Sequence, residues 1–313
     1  MISALKSEIE FLDSQVHKNM AIIPIKTPIN YNIDILTLKK GFELGLVEVK
    51  ECEKPQVNTL IVVNNSVSPL LLVDGEEIIG GDQNRIVNAT VIIDAQSEMH
   101  IPVNCTEHGR WGYKHEFKPS EYILNSRTRF AKTHARRSNR DVQTEVWNSI
   151  DRLESLHNVS SKTQAMSETY ERKKTDLNEL VKSFEICKGQ TGVVIIIDGE
   201  VKGFEIFFNA EIYAEYHEKI LKSYLIDAEI KDSAFTVNVD TAREIISKAC
   251  ESEFSEVGST GLEKSFEFKN EEGLGNLYSF KDEIIHVSYM IGDEKEFGMD
   301  EAHPNSGRAD FIV

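Results

Sequence analysis

Cysteine is scarce and scattered in this chain. Its four cysteines, Cys52, Cys105, Cys187 and Cys250, form no CxxC pair. That excludes a dense disulfide framework and points to a reducing, cytoplasmic setting. The Asn-X-Ser/Thr triplets at Asn88, Asn104 and Asn158 then read as chance matches to a glycosylation signal. Long apolar runs are missing too. No stretch of about 18 apolar residues occurs, so a membrane-spanning helix is not expected. The opening MISALKSEIEFLDSQ lacks the basic start and apolar middle of a signal peptide. Positive charge is in short supply: 35 Lys and Arg stand against 52 Asp and Glu, a formal net charge of −17. That sign argues against broad binding to nucleic acid or to an anionic membrane surface. The chain also lacks an internal repeat, a low-complexity tract and a GxGxxG turn leading into a helix.

What remains is enough for a sizeable core: 313 residues with 40% hydrophobic content. Met20–Ile25 reads as a strand, and Leu36–Leu44 as a short helix stopped by Gly45. From Val47 to Cys105 short Val/Ile-rich runs alternate with Gly, Asn, Asp and Ser. Spacing this close leaves no room for crossover helices, so antiparallel pairing is expected. The strand pattern is lost between Phe117 and Asp141. Helices are expected over Val142–Leu156 and from Met166 to about Gly189. A hairpin follows, GVVIIID and VKGFEIFF around Gly199-Glu200, then helices over Ile212–Leu225 and Thr241–Cys250. A polar linker, Glu251–Gly261, leads into three closing strands. The expected fold is α+β: an antiparallel β meander or sandwich, with helices from Asp141 onward packed against it. One domain would span 1–293, β-rich over 1–125 and helical or mixed over 140–293, with an irregular tail at 294–313.

Two polar clusters at strand ends stand out. Gly80-Gly81 can take positive φ and let a backbone approach a ligand. Asp82, Gln83, Asn84 and Arg85 then offer acceptors, amides and a fixed cation, a set suited to sugar hydroxyls and a phosphate or carboxylate. A tight hairpin carrying an Arg–Asp pair fits the same residues. In the second cluster, strand parity puts Cys105 with Ile101 and Val103, so a buried inert thiol is the main reading and a nucleophile the lesser one. Glu107 beside Arg110 reads as a general base or as a structural ion pair. Trp111 offers a stacking face or caps the core. His100, Cys105, Glu107, His108 and His115 are close in sequence but match no metal signature, so no metal is assigned.

Between the strands and the helices lies a basic segment with Arg127, Arg129, Lys132, Arg136, Arg137 and Arg140. It reads as a flap over an anionic ligand, with Arg136 as a ligand contact, or as a solvated loop. Gln143 and Trp147 share one face of the next helix, with Gln143 as a further ligand contact. His286, inside an apolar strand, reads as a satisfied core residue. His303 and Arg308, in the tail, carry little signal.

These pieces together resemble a known family. LLLVDGEEIIGGDQNRIVNATVIIDAQSEMHIPVNCTEHGRW, the Arg-rich run into DVQTEVW, and GVVIIIDGEVKGFEIFFNAEIYAEYHEKILKSYLIDA are similar to the ARG- and rhodanese-phosphatase-superfamily-associated protein domain, first type. The similarity runs from about Ile23 to Asp227. It implies a link to ADP-ribosylglycohydrolases and to NAD and ADP-ribose metabolism. It carries over Gln83, Asn84, Arg85, Cys105, Glu107, Gly109, Arg110 and Trp111, with Gln143 and Trp147 behind them. The chain departs from the pattern at His108, where a glutamine is expected, and at Asp82, where a lysine is expected. The resulting expectation is a hydrolase acting on an ADP-ribose-type nucleotide sugar. Arg85 and Arg110 would hold anionic oxygens, Gln83 and Asn84 would read ribose hydroxyls, and Glu107 would act as acid or base. A non-catalytic binding module for the same ligand is the alternative, and a structural domain a third. The sequence assigns no cofactor.

Overall fold

The apolar runs Met20–Lys26 and Gly192–Ile197 lie side by side, antiparallel, with Ile22 opposite Ile195. Both are buried almost throughout, which a strand covered on one face would not require. The computed structural model, which describes residues 9–27, 34–53, 56–110, 112, 115–207, 209–233 and 235–292, shows why. In chain order the first part forms β1 (Glu10–Phe11), β2 (Gln15–His17), β3 (Met20–Lys26), β4 (Leu36–Thr37) and α1 (Leu38–Glu43). Then come β5 (Val47–Glu51), β6 (Thr59–Asn64), β7 (Leu70–Leu72), β8 (Glu76–Ile79), β9 (Arg85–Val87), β10 (Val91–Ile93), β11 (Ser97–Cys105) and β12 (Lys118–Ile123). Four helices follow: α2 (Ser126–Arg137), α3 (Val142–Leu156), α4 (Met166–Arg172) and α5 (Lys174–Val181). The last part is β13 (Gly192–Ile197), β14 (Glu200–Phe207), α6 (Ala210–Leu225), α7 (Val239–Glu251), β15 (Glu253–Val257), β16 (Lys264–Lys269), β17 (Gly273–Phe280) and β18 (Glu283–Ile291).

β3 and β13 are central strands of a nine-stranded antiparallel sheet ordered β1-β3-β13-β14-β18-β17-β16-β15, with β2 also on β3. Their side chains divide by parity. Met20, Ile22, Val193, Ile195 and Ile197 enter one core with Tyr213, Tyr216, Ile220 and Leu221 of α6. Ala21, Ile23, Ile25, Val194 and Ile196 enter a second core with Ala242, Ile246 and Ala249 of α7. The sheet is therefore covered on both faces. Each fully buried Ile or Val contributes roughly 1.5–3 kcal/mol, so a one-residue slip would lose several such terms at once.

The clusters sit on the other part of the fold. A three-stranded sheet, β10-β7-β4, packs on a six-stranded one, β12-β8-β9-β11-β6-β5. Leu70, Leu72, Val91 and Ile93 of the first sheet meet Leu60, Val62, Val87, Ile101 and Val103 of the second. The α+β class and the sandwich with packed helices are thus present.

Several details differ from the sequence expectation. Leu36–Thr37 pairs with β7, in parallel, so the helix expected from Leu36 starts only at Leu38, with Thr37 as its cap. The region between Phe117 and Asp141 holds a strand, β12, and a helix, α2, so helices begin well before Asp141. Helix α2 is neither flap nor solvated loop: Thr128 through Ala135 are all buried. The helix expected from Met166 to Gly189 breaks at Lys173 and ends at Val181. Half of the expected linker pairs onto β16 as the edge strand β15. The tail at 294–313, with His303 and Arg308, lies outside the described residues.

Candidate functional site

Strand β11 changes partner along its length. Ser97–Pro102 pairs with β6, whereas Val103–Cys105 pairs with β9. At its end the chain turns into the second cluster, and the first cluster enters β9 opposite it. The two clusters therefore meet, as Cys105 opposite Arg85.

What they build is a buried polar knot. Arg110 Nη2 reaches Glu107 Oε2 at 2.6 Å, and its two terminal nitrogens also donate to the carbonyls of Gly80, Gly81 and Gly112. Glu107 Oε2 accepts from the Asn84 N–H, and the Glu107 carbonyl accepts from Gln83 Nε2 at 2.9 Å. Burial opposes ionisation of Glu107, but Arg110, Thr163 and the Asn84 N–H outweigh it and hold the carboxyl below its ordinary range. Arg85 lies near Glu51 and donates to Gln83 Oε1, which also accepts from the Cys105 thiol at 3.0 Å. Burial pushes that thiol up to about 11, with Arg85 opposing only in part. A thiol in that state is protonated at neutral pH and lacks the nucleophile's thiolate. Gln83, Arg85, Cys105 and Glu107 are all buried; Asp82 is half-buried, and its N–H donates to Glu51. Trp111 lies outside the described residues.

The glycines of the first cluster serve this knot. Gly80 and Gly81 have φ of 125° and 52°. A Cβ on Gly80 would stand 2.6 Å from the Glu116 carbonyl, and one on Gly81 2.2 Å from the Phe117 ring. The close approach they permit is to their own chain. Beneath the knot, Glu77 accepts from Thr106 Oγ1, and desolvation pushes its carboxyl up to about 7.

A second polar region lies on the other side of β11's end. The β6 ladder stops at Thr59, and beyond it Asn58 and Val103 face a cavity of about 420 Å³. That volume falls in the range of small-molecule sites. Asn88, Asn104, Lys132 and Arg136 also line it, with Asp141 and Gln143 at the start of α3. The Asp141 carboxylate is occupied in capping α3, accepting from the N–H of Gln143. That cap aims the Gln143 amide at the free end of β11. Gln143 Oε1 accepts from the Cys105 N–H at 2.8 Å, and Nε2 donates to the Cys105 carbonyl at 3.0 Å, as a neighbouring strand would. Gln143 Oε1 also accepts from Asn104 Nδ2. Asn104 is only 6% exposed, and its Oδ1 and that of Asn88, both closed off from solvent, have no hydrogen-bond partner among the described residues.

The cations come from α2. Arg129, Lys132 and Arg136 recur at helical spacing and share a face. Arg129 pairs with Glu205 and Lys132 with Asp74, both pairs buried. Arg136 and Arg137 share the single carboxylate of Glu267. With Asp141 on the cavity wall, these four cations meet four carboxylates. Arg136 also donates to the Asn88 carbonyl and Asn276 Oδ1, engaging three of the five guanidinium N–H groups.

Of the residues nominated from sequence, Gln83, Asn84, Arg85, Cys105, Glu107 and Arg110 come together in the knot, with Asp82 at its margin. Arg136 and Gln143 come together at the cavity. Lys132 was singled out only as part of the basic segment and Asn104 only as a member of the second polar cluster, neither as a ligand contact, and Asn88 was not nominated. The helical phase of Arg129, Lys132 and Arg136 is the signal that would have found the first. The suggested metal set does not assemble. His108 stacks on Trp147 at 4.2 Å, and His100 lies 4.0 Å from Cys52 Sγ. Among the described residues no group of three or more His, Cys, Asp or Glu is placed to hold a metal ion. His286 is fully buried, with both ring nitrogens bonded, to Thr90 and Glu205.

The chain belongs to the ARPP-1 family, the ARG and Rhodanese-Phosphatase-superfamily-associated Protein domain, whose family model matches residues 8–290. No curated protein and no solved structure matches it.

Proposed function

We propose that this protein binds a nucleotide-sugar ligand of the ADP-ribose or NAD-derived class in the cavity at the end of β11. The observation that carries this reading is the cavity of about 420 Å³ lined by Arg136, whose guanidinium keeps N–H groups beyond its bonds to Glu267, Asn88 and Asn276. Asn58, Asn88, Asn104 and Gln143 line the same cavity, a polar set suited to ribose hydroxyls. The remaining N–H groups of Arg136 suit a phosphate. Binding is favoured over hydrolysis because Glu107 and Cys105, the residues assigned to chemistry from sequence, do not line this cavity.

The test is a thermal-shift titration with ADP-ribose, ADP, ribose 5-phosphate and inorganic phosphate. At 100 times its dissociation constant a ligand stabilises by roughly 2.7 kcal/mol. ADP-ribose should raise the melting temperature, and Arg136→Ala should reduce the shift at the same ligand concentration. No shift with any of the four would sink the reading.

A further inference from the structure

We propose that Lys132 captures the open-chain aldehyde of a reducing sugar phosphate as an imine, the sugar phosphate being held in the cavity lined by Arg136 and Asn104. This rests on the binding reading above and adds a covalent step to it.

The geometry at Lys132 is specific. Its Nζ is bonded to Asp74 Oδ1 and to the Asn88 carbonyl, the latter at 2.7 Å. A tetrahedral amine nitrogen has a third position, and Lys132 lines the cavity. In the neutral amine the two N–H groups satisfy the two acceptors, and the third position holds the lone pair. The charged groups facing Lys132 are Asp74, Arg129 and Arg136. Desolvation and the two arginines favour the neutral form, Asp74 opposes them, and the net effect lowers the ammonium to about 8. Buried lysines in such settings are the ones that form Schiff bases.

The step balances without an oxidant. The Nζ lone pair attacks the aldehyde carbon, and the C–N bond forms as the carbonyl π bond opens. The oxygen takes up a proton, giving a carbinolamine. The nitrogen then loses its remaining proton, the hydroxyl leaves as water, and the C=N bond is made. Asp74 can take the proton from nitrogen and return it to the oxygen, since its Oδ1 already touches Nζ.

The experiment is reductive trapping of the full chain with cyanoborohydride, using ribose 5-phosphate in one arm and ADP-ribose in the other, read by intact mass and peptide mapping. The expected result is one saturable adduct on the peptide carrying Lys132, forming faster as pH rises through about 8. Comparing the arms tells whether the ligand is a simple aldose phosphate or carries the nucleotide. Lys132→Arg keeps a cation beside Asp74 but removes the nucleophile, and should lose the adduct on that peptide. Adducts spread over the exposed lysines, or no adduct despite a thermal shift, would overturn the imine and leave the binding reading intact. Should the variant fail to fold, the mapping on the unmodified chain still decides. Loss of the thermal shift as well would remove the binding reading itself.

Discussion

Two polar regions flank the end of β11, and they differ in what their side chains face. In the knot, Arg110 and Glu107 face each other inside the protein, and Gln83 and Asn84 close the remaining gaps. Some atoms stay unmatched there, Arg85 Nε and Arg110 Nε among them, but neither arginine lines the cavity. At the cavity, polar side chains and the Arg136 cation line a space. Arginine, glutamate and glutamine at strand ends therefore do not by themselves mark a binding site. The discriminating fact is whether the polar groups are turned towards each other or towards an opening. A buried ion pair is also weak grounds for net stability, since desolvation offsets most of its attraction.

The largest effect should come from breaking the knot. Arg110→Ala leaves Glu107 buried and unpaired, and strips the Gly80, Gly81 and Gly112 carbonyls of a donor. Urea denaturation should show a loss of about 3–5 kcal/mol. Adding Glu107→Gln should restore part of it, because the uncompensated charge is gone. A loss under about 1 kcal/mol would break the comparison, since an exposed pair is worth no more than that.

The next effect depends on pH. Glu77 has its folded value raised from 4.5 to about 7, chiefly by desolvation. Between those values the folded state holds more protons than the unfolded one. Stability therefore falls as pH rises through this window, and the penalty is complete above about 7. Glu107 has the opposite sign: its lowered value stabilises above the ordinary carboxylate range, and that contribution is lost as pH falls through the folded value. Glu77→Gln should stabilise the protein at pH 8 by up to about 3 kcal/mol, and by much less near pH 4.5. A pH-independent difference between wild type and variant would show that Glu77 is ionised throughout.

At the cavity, Arg136→Ala should weaken ADP-ribose by about 1.5–3 kcal/mol, roughly ten- to a hundredfold, by titration calorimetry. Arg110→Ala, measured at a temperature where it is folded, should leave that affinity unchanged. The reverse pattern would move the ligand to the knot.

How much of this was legible in the sequence follows from the same contrast. The hairpin was readable from its two apolar runs, but its turn is Asp198-Gly199, both with positive φ, one residue before the expected Gly199-Glu200. The parity of β11 was readable, and it placed Cys105 on the buried side. Helix α2 was not readable as a buried helix. Periodicity detects apolar stripes, and the face this helix buries carries Arg129 and Lys132. Their partners, Glu205 and Asp74, are 76 and 58 residues away, so no local pattern announces the pairing. The cavity escaped for a related reason. It is assembled from β6's end, β11, α2 and α3, which only the assembled fold brings together.

The smallest effect is the sharpest test of that last point. Asn104 and Gln143 share one hydrogen bond, Nδ2 to Oε1 at 3.1 Å, but their other contacts differ. Gln143 holds both backbone groups of Cys105, so Gln143→Ala strands an N–H and a carbonyl in a part-buried place and should destabilise the apo protein. Asn104→Ala removes one bond and also removes an unsatisfied buried acceptor, two changes of opposite sign. Its apo stability should therefore stay within about 0.5 kcal/mol of wild type, while ADP-ribose affinity falls by about 0.5–1.5 kcal/mol. Equal destabilisation by the two substitutions, with affinity unchanged in Asn104→Ala, would mean that Asn104 only braces α3 against β11. The cavity would then be a second knot with space beside it, and the difference between the two regions would collapse.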